Sequence, residues 1–246
     1  MLSLAESSES GPSITRLRDL CAELRVHLCI GFSELGDDGE LYNTALLIGK
    51  EGETVGRYRK THGVEAAYRV GDDLPVFDTE FGKVGILICC EPDTFLLCKW
   101  LGDGGPGALL SDDRQPPENA RTLAVKGARL ILVPSNGMWG GVNDSLLQTR
   151  AYENQVFLVW AHPRDGAVID PGGKVIAASV TVPGRPNTYS GEGVMPTSTE
   201  DGDGWPEAVV REINLSAWAE YVGPLTRTDG GGARRPELYT GLGSGR

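Results

Sequence analysis

Lys83-Val84-Gly85-Ile86-Leu87-Ile88-Cys89-Cys90-Glu91-Pro92 is a run of β-formers that stops in two cysteines, an acid and a proline. A continuous apolar run of this length, bounded by Gly82 and Pro92, predicts a strand buried on both faces of a layered sheet. The chain leaves that strand at Cys89 and Cys90. A thiol at the C-terminal end of a buried strand, ahead of a turn whose backbone amides point back at it, is well placed as a nucleophile. Only a few per cent of an ordinary thiol is thiolate near neutral pH, so a cation or base has to stand beside it. Lys60 is the upstream candidate, at the end of Thr54-Val55-Gly56-Arg57-Tyr58-Arg59-Lys60-Thr61-His62, a second strand-like run. Its ammonium would favour the Cys89 thiolate and steady an oxyanion formed when that thiolate attacks a carbonyl or nitrile carbon.

Around these two runs the chain alternates helix and strand. Ile14, Leu17, Leu20, Cys21 and Leu24 recur at helical spacing after Pro12-Ser13, which predicts an amphipathic helix over 13–25. Strands are expected at Val26–Phe32 and Tyr42–Gly49, with a turn at Gly36-Asp37-Asp38-Gly39 and a hairpin turn at Lys50–Glu53. Thr61–Asp73 reads as an irregular loop. Helices are expected at Glu118–Lys126 and Leu146–Asn154, and strands at Leu130–Pro134, Val156–Trp160 and Val209–Leu215. Residues 101–117 are rich in Gly, Pro and Asp and read as a loop that buries too little apolar surface to order itself; residues 183–204 read as a surface excursion.

At 246 residues, with 40% apolar and 23% charged side chains, the chain suffices for one large α/β domain spanning 1–246. The net charge of -11 argues against nucleic acid and anionic membranes as partners. No basic region precedes an apolar stretch at the start, and no run approaches a membrane span. Five cysteines, Cys21, Cys29, Cys89, Cys90 and Cys98, lack the spacing of a disulfide scaffold, which points to a reducing, cytoplasmic setting. The three histidines, His27, His62 and His162, are scattered without ligand spacing, so no metal is expected.

Taken together, these segments resemble the nitrilase, or carbon-nitrogen hydrolase, superfamily. Leu41-Tyr42-Asn43-Thr44-Ala45-Leu46-Leu47-Ile48 is similar to that family's "YNTAVLI" strand, Tyr58-Arg59-Lys60-Thr61-His62 to its "YRKxH" motif, and Ile88-Cys89-Cys90-Glu91 to "ICYD" or "ICWE". Gly127-Ala128 to Pro134-Ser135-Asn136 with Trp139 matches "GAxLILxPSNxxW". Arg150-Ala151-Tyr152-Glu153-Asn154 matches "RAxEN", and Arg235-Pro236-Glu237-Leu238-Tyr239 is similar to "RRPxLY". The resemblance implies a four-layer αββα sandwich and a cofactor-free thiol hydrolase of non-peptide carbon-nitrogen bonds. Cys89 would be the nucleophile, Lys60 and the backbone N–H of Cys90 the oxyanion holders, and Glu65 the second glutamate found after the lysine motif. Asn136 and Trp139 stand where a pocket wall is expected, although a Trp that packs its loop onto the core fits equally. Glu153 and Asn154 read as structural. The expected partners are a small amide, carbamoyl compound or nitrile and, by the same resemblance, a second copy of the chain in a homodimer.

Two departures from the pattern bear on activity. The family carries its triad glutamate in an "FPE" motif after a first strand-helix-strand, and this chain opens in text that matches downstream of it, so that first β-α-β unit is expected to be missing. Glu6 and Glu9 lie in a turn-like stretch and are not read as its replacement. His162-Pro163-Arg164-Asp165-Gly166 also runs directly into the Asp170-Pro171-Gly172-Gly173 segment, where the family has a longer loop. An inactive or truncated relative serving as a binding module therefore stands as the alternative to the hydrolase.

Overall fold

The computed structural model describes residues 4–62, 67–88, 116–136, 141–162, 165–180, 211–216 and 239. Two sheets face each other. The first orders β1 (Leu28–Leu35), β2 (Leu41–Ile48) and β3 (Thr54–Arg59), all antiparallel. The second has six strands in chain order: β4 (Val76–Thr79), β5 (Gly82–Ile86), β6 (Leu130–Pro134), β7 (Phe157–His162), β8 (Asp165–Ile169) and β9 (Val175–Val180). β5, β6 and β7 run parallel, and the flanking pairs are antiparallel.

Alternation along each strand builds the layers. Leu46 and Ile48 of β2 bury against Ile14 and Cys21 of helix α1 (Pro12–Leu24), on the outside of the first sheet. Their neighbours Ala45 and Leu47, with Tyr58, turn inward and meet Val84, Ile86, Ile88, Leu130 and Phe157 of the second sheet. The far side of that sheet, including Leu87, Ile131, Val133, Leu158 and Trp160, packs on helices α2 (Pro117–Val125) and α3 (Gly141–Asn154). The molecule is thus the expected α-β-β-α sandwich, with β5 buried on both faces.

Several boundaries shift. β1 begins at Leu28 and runs to Leu35, and α3 begins five residues before the expected Leu146. The antiparallel β4 was not foreseen; its four residues are too short for a period to show, and only the turn at Glu80-Phe81 closing on Gly82 (φ 128°) marks it. Of the strand expected at Val209–Leu215, the described part from Arg211 onward is irregular, although Ile213 and Leu215 still pack on the inter-sheet core. The sheets approach closely at Gly56, where an added Cβ would sit 2.2 Å from the Phe77 ring. Residues 101–115 and 183–204 lie outside the described residues, and Pro117, expected in the first of these loops, opens α2.

One carboxylate ties the first sheet together on its α1 side. Glu34 of β1 is 1% exposed and accepts from Thr44 Oγ1 (2.7 Å), Ser8 Oγ (2.9 Å), Arg57 Nη1 (3.0 Å) and both Arg59 Nε (2.8 Å) and Nη2 (3.0 Å). Arg59 is also stacked on Tyr42, 3.6 Å from the ring centroid. Burial pushes the Glu34 carboxyl up, but the hydrogen bonds from Arg59, Thr44 and Ser8 and the Arg57 charge outweigh it, and the group is held below its ordinary value of 4.5. The stability this supplies is present above pH 4.5 and is lost as pH falls through the depressed value.

Glu34→Ala leaves two cations without their counter-ion and should cost about 3 kcal/mol, the low end for a buried pair because both arginines retain contact with water. It should also flatten the acid limb of stability, read by urea denaturation across the range below neutral pH. Gly56→Ala should cost about 1–3 kcal/mol by overpacking against Phe77, read as a lowered urea midpoint.

Candidate active site

The hairpin register decides which side chains share the space between the sheets. Asn43 is opposite Ser33 on β1, and on the other side the Lys60 N–H donates to the Asn43 carbonyl over 2.9 Å. In β3, Tyr58 faces inward, and Lys60, two residues on, shares its phase. Lys60 is 2% exposed and Asn43 4%. The Lys60 carbonyl accepts from Gly71 N–H (2.7 Å), so the chain is held on both sides where the lysine emerges. Arg57 and Arg59, in the alternate phase, point to the α1 side and meet Glu34. The strand motif therefore sorts its three cations: two bind a structural carboxylate outside, one is turned inside.

β5 brings its own end to the same space. Leu87 N–H continues the parallel ladder with Leu132 O (3.0 Å), and Ile88, 4% exposed, is turned to the inter-sheet side. Cys89 is the next residue. Cys89, Cys90, Glu65 and Trp139 lie outside the described residues. Asn136, which follows β6, is described and exposed. A cavity of about 470 Å³ opens between the sheets, with Cys29, Gly31 and Asn43 on one wall and Ile88, Pro134, Ser135, Asn136, Ala161 and His162 on the other. This volume suits a small organic molecule.

The loop after Lys60 is pinned to α2. His62 Nδ1 lies 3.1 Å from Asn119 Nδ2 and 2.9 Å from Thr61 Oγ1. Neither Glu6 nor Glu34 reaches the cavity. Glu34 is on the opposite face of the sheet, and the Glu6 carboxylate closes the N-terminus of α1, accepting from Ser13 N–H (2.8 Å) and Ser13 Oγ (2.6 Å). The Ser13 hydroxyl is the largest influence holding the Glu6 carboxyl below its usual range. Glu153 accepts from Arg150 Nη1 (2.8 Å), and Asn154 donates to the Arg150 carbonyl (2.9 Å), a helix-end role.

The two other described cysteines are chemically quiet. Burial pushes the Cys29 thiol up to about 12 and also raises Cys21, so both stay neutral thiols near neutral pH. Among the described residues no group of three His, Cys, Asp or Glu side chains could hold a metal ion. Sequence reasoning overlooked Asn43 and Gly31 as cavity residues. The available signal was phase: Asn43 faces the Lys60 side only once the β2–β3 register is known.

Comparison with known proteins places this geometry in a family. The carbon-nitrogen hydrolase model matches residues 1–105 and 101–182. A nitrilase of Pyrococcus abyssi is 31% identical over 217 residues, covering 86% of this chain and 68% of that protein. A human omega-amidase is 27% identical over 197 residues, covering 70% of this chain and 63% of that protein. The chain spans 50% and 62% of the lengths of two further relatives that it matches. The solved amidase from Nesterenkonia sp. AN1 superposes with a TM-score of 0.62 at 20% identity, over 92% of this chain and 71% of that one. From its matched motifs and its two-sheet sandwich alike, the chain belongs to the carbon-nitrogen hydrolase family.

Proposed function

We propose that the protein hydrolyses a non-peptide carbon-nitrogen bond in a small amide, carbamoyl compound or nitrile through a Cys89 thioester. The observation that carries this reading is the burial of Lys60 on the inner face of its sheet, beside a cavity whose opposite wall includes Ile88, the residue before Cys89. A lysine is rarely enclosed unless its charge is paired or put to chemical use. For an amide, the Cys89 thiolate adds to the carbonyl carbon, and the resulting oxyanion is held by Lys60 and the Cys90 N–H. Glu65 delivers a proton to the leaving nitrogen; the C–N bond breaks, ammonia or an amine departs, and the acyl group remains on sulfur. Glu65 then takes a proton from water as its oxygen attacks the thioester, the C–S bond breaks, and the carboxylic acid and Cys89 thiol are released. The Nesterenkonia amidase is known with the acetamide moiety of fluoroacetamide added covalently at its active-site cysteine, which supports the thiol route by analogy.

A second reading, a non-catalytic binding module, is favoured by one observation: the Glu6 carboxylate caps α1 and Glu34 faces away from Lys60, so neither supplies a base at the cavity. The reading as a whole is of one domain over 1–246, with 101–115, ahead of α2, and 183–204 as surface loops, acting as a homodimer in the cytoplasm. The free thiols of Cys21 and Cys29 support a reducing setting. No helix among the described residues is long and apolar enough to cross a membrane.

Ammonia release from a panel of amides, ureido acids and nitriles separates the two readings. Turnover should fall to background in Cys89→Ala and by about 100-fold or more in Lys60→Gln, while Cys90→Ala, which keeps its backbone N–H, should lose only a few-fold. Absence of release from the folded wild-type chain would favour the binding module. In a second measurement, substoichiometric iodoacetamide at neutral pH should label Cys89 well before Cys21 and Cys29 by peptide mass spectrometry, because a thiol with a pKa of about 12 has almost no thiolate to react. Equal labelling of Cys29 and Cys89 would contradict an activated Cys89.

A further inference from the structure

Asn43 is a buried polar side chain at the inter-sheet cavity that the proposed chemistry does not use. It sits directly across the β2–β3 ladder from Lys60, and the two side chains leave the sheet on one face. It lines the cavity at 4% exposure, and its Nδ2 is sealed from solvent with no hydrogen-bond partner. A buried amide without an acceptor has given up bonds to water for nothing in return, which makes it an anomaly in a strand where an apolar side chain of similar size would fit. Ser135, Asn136 and His162 bring polar groups to the cavity wall, but none bonds Nδ2, and Cys29, Gly31, Ile88 and Pro134 present apolar surface or backbone. Gly31, the diagonal neighbour of Asn43 across the β1–β2 ladder, is not forced to be glycine by crowding. A Cβ there would lie 3.6 Å from Pro134 Cβ, an ordinary contact. The glycine keeps open the space that a larger side chain would fill.

We propose that Asn43 is a substrate-binding residue that selects a carboxamide over a nitrile by pairing amide with amide. The inference rests on the hydrolase reading for its site and adds the substrate class. Asn43 Nδ2–H donates to the substrate carbonyl oxygen, and Asn43 Oδ1 accepts from the substrate N–H. A carbonyl oxygen has two lone pairs, so it receives Asn43 and Lys60 together. A nitrile offers one acceptor at the tip of a linear group and no donor, and so leaves Oδ1 unmet. A site built around a donor-acceptor pair discriminates strongly against an analogue that lacks half of it, since its own buried group then stays unpaired.

The test compares butyramide and butyronitrile as substrates of the wild-type chain, Asn43→Leu and Asn43→Asp, with circular dichroism to verify folding. The amide-to-nitrile ratio of kcat/KM should fall about 10- to 100-fold in Asn43→Leu, mostly through KM for the amide. An unchanged ratio, with both substrates affected equally or not at all, overturns the proposal. A second measurement does not need turnover. In the Cys89→Ala chain, the 15N-labelled Asn43 side-chain NH2 signals, identified by their loss in Asn43→Asp, should shift on titration with butyramide and stay in place with butyronitrile. No shift with butyramide overturns the assignment. If the wild-type chain turns over neither compound, the hydrolase reading fails, and this titration still decides whether Asn43 recognises a carboxamide.

Discussion

The first sheet depends on a single buried carboxylate. Glu34 accepts from both arginines of β3, from Thr44 of β2 and from Ser8 ahead of α1, so one residue of the edge strand β1 joins every other part of its layer. The cations are necessary to it: a carboxylate 1% exposed and unpaired would protonate or unfold the site, and its depressed pKa records that the pairing wins over burial. The consequence reaches the cavity through strand phase. Because Arg57 and Arg59 are drawn to the α1 side, Lys60, after Arg59 in the alternate phase, is delivered to the inner side with Asn43. A clamp on one face of the sheet thereby sets the direction of a functional side chain on the other.

That coupling also shows why the sequence could be read in part. The β5 run, the helices at α1 and α2 and the β6 strand were legible because apolar residues dominate them and turn residues bound them. The pairing of β2 with β3 was legible as a hairpin, and Lys60 as the charge at its end. What did not show was which acid belongs to which job. Glu6, Glu34 and Glu65 are indistinguishable as letters, and only the three-dimensional register puts Glu34 under Tyr42 and Arg59, and Glu6 over Ser13 at a helix start. Asn43 was quoted as part of a motif yet its use was invisible, since an asparagine in a strand means something only when its neighbours leave its amide unanswered. β4 escaped because four residues carry no period.

The same geometry separates the cysteines by chemistry rather than by number. Cys29 lines the cavity but is held neutral by burial, and Cys21 is on the buried face of α1, packed on the outside of the first sheet, so neither thiol competes with one at a strand end. Among the described residues the outer edge of β1 carries only the Glu6 bridge, through Glu6 N–H to Ser33 O (3.0 Å) and Leu35 N–H to Glu6 O (2.9 Å). Cys29, Ile30, Gly31 and Phe32 of the same strand line the cavity.

The central claim is that the Glu34 clamp holds Lys60 inside. Amine labelling of the folded chain, read by peptide mass spectrometry, tests it most directly. The account predicts that Lys60 stays unmodified while Lys83 and Lys126, 46% and 44% exposed, react readily, and that Lys60 becomes reactive in Glu34→Gln under conditions where the variant remains folded. Labelling of Lys60 in the wild-type chain as fast as Lys83 would contradict it.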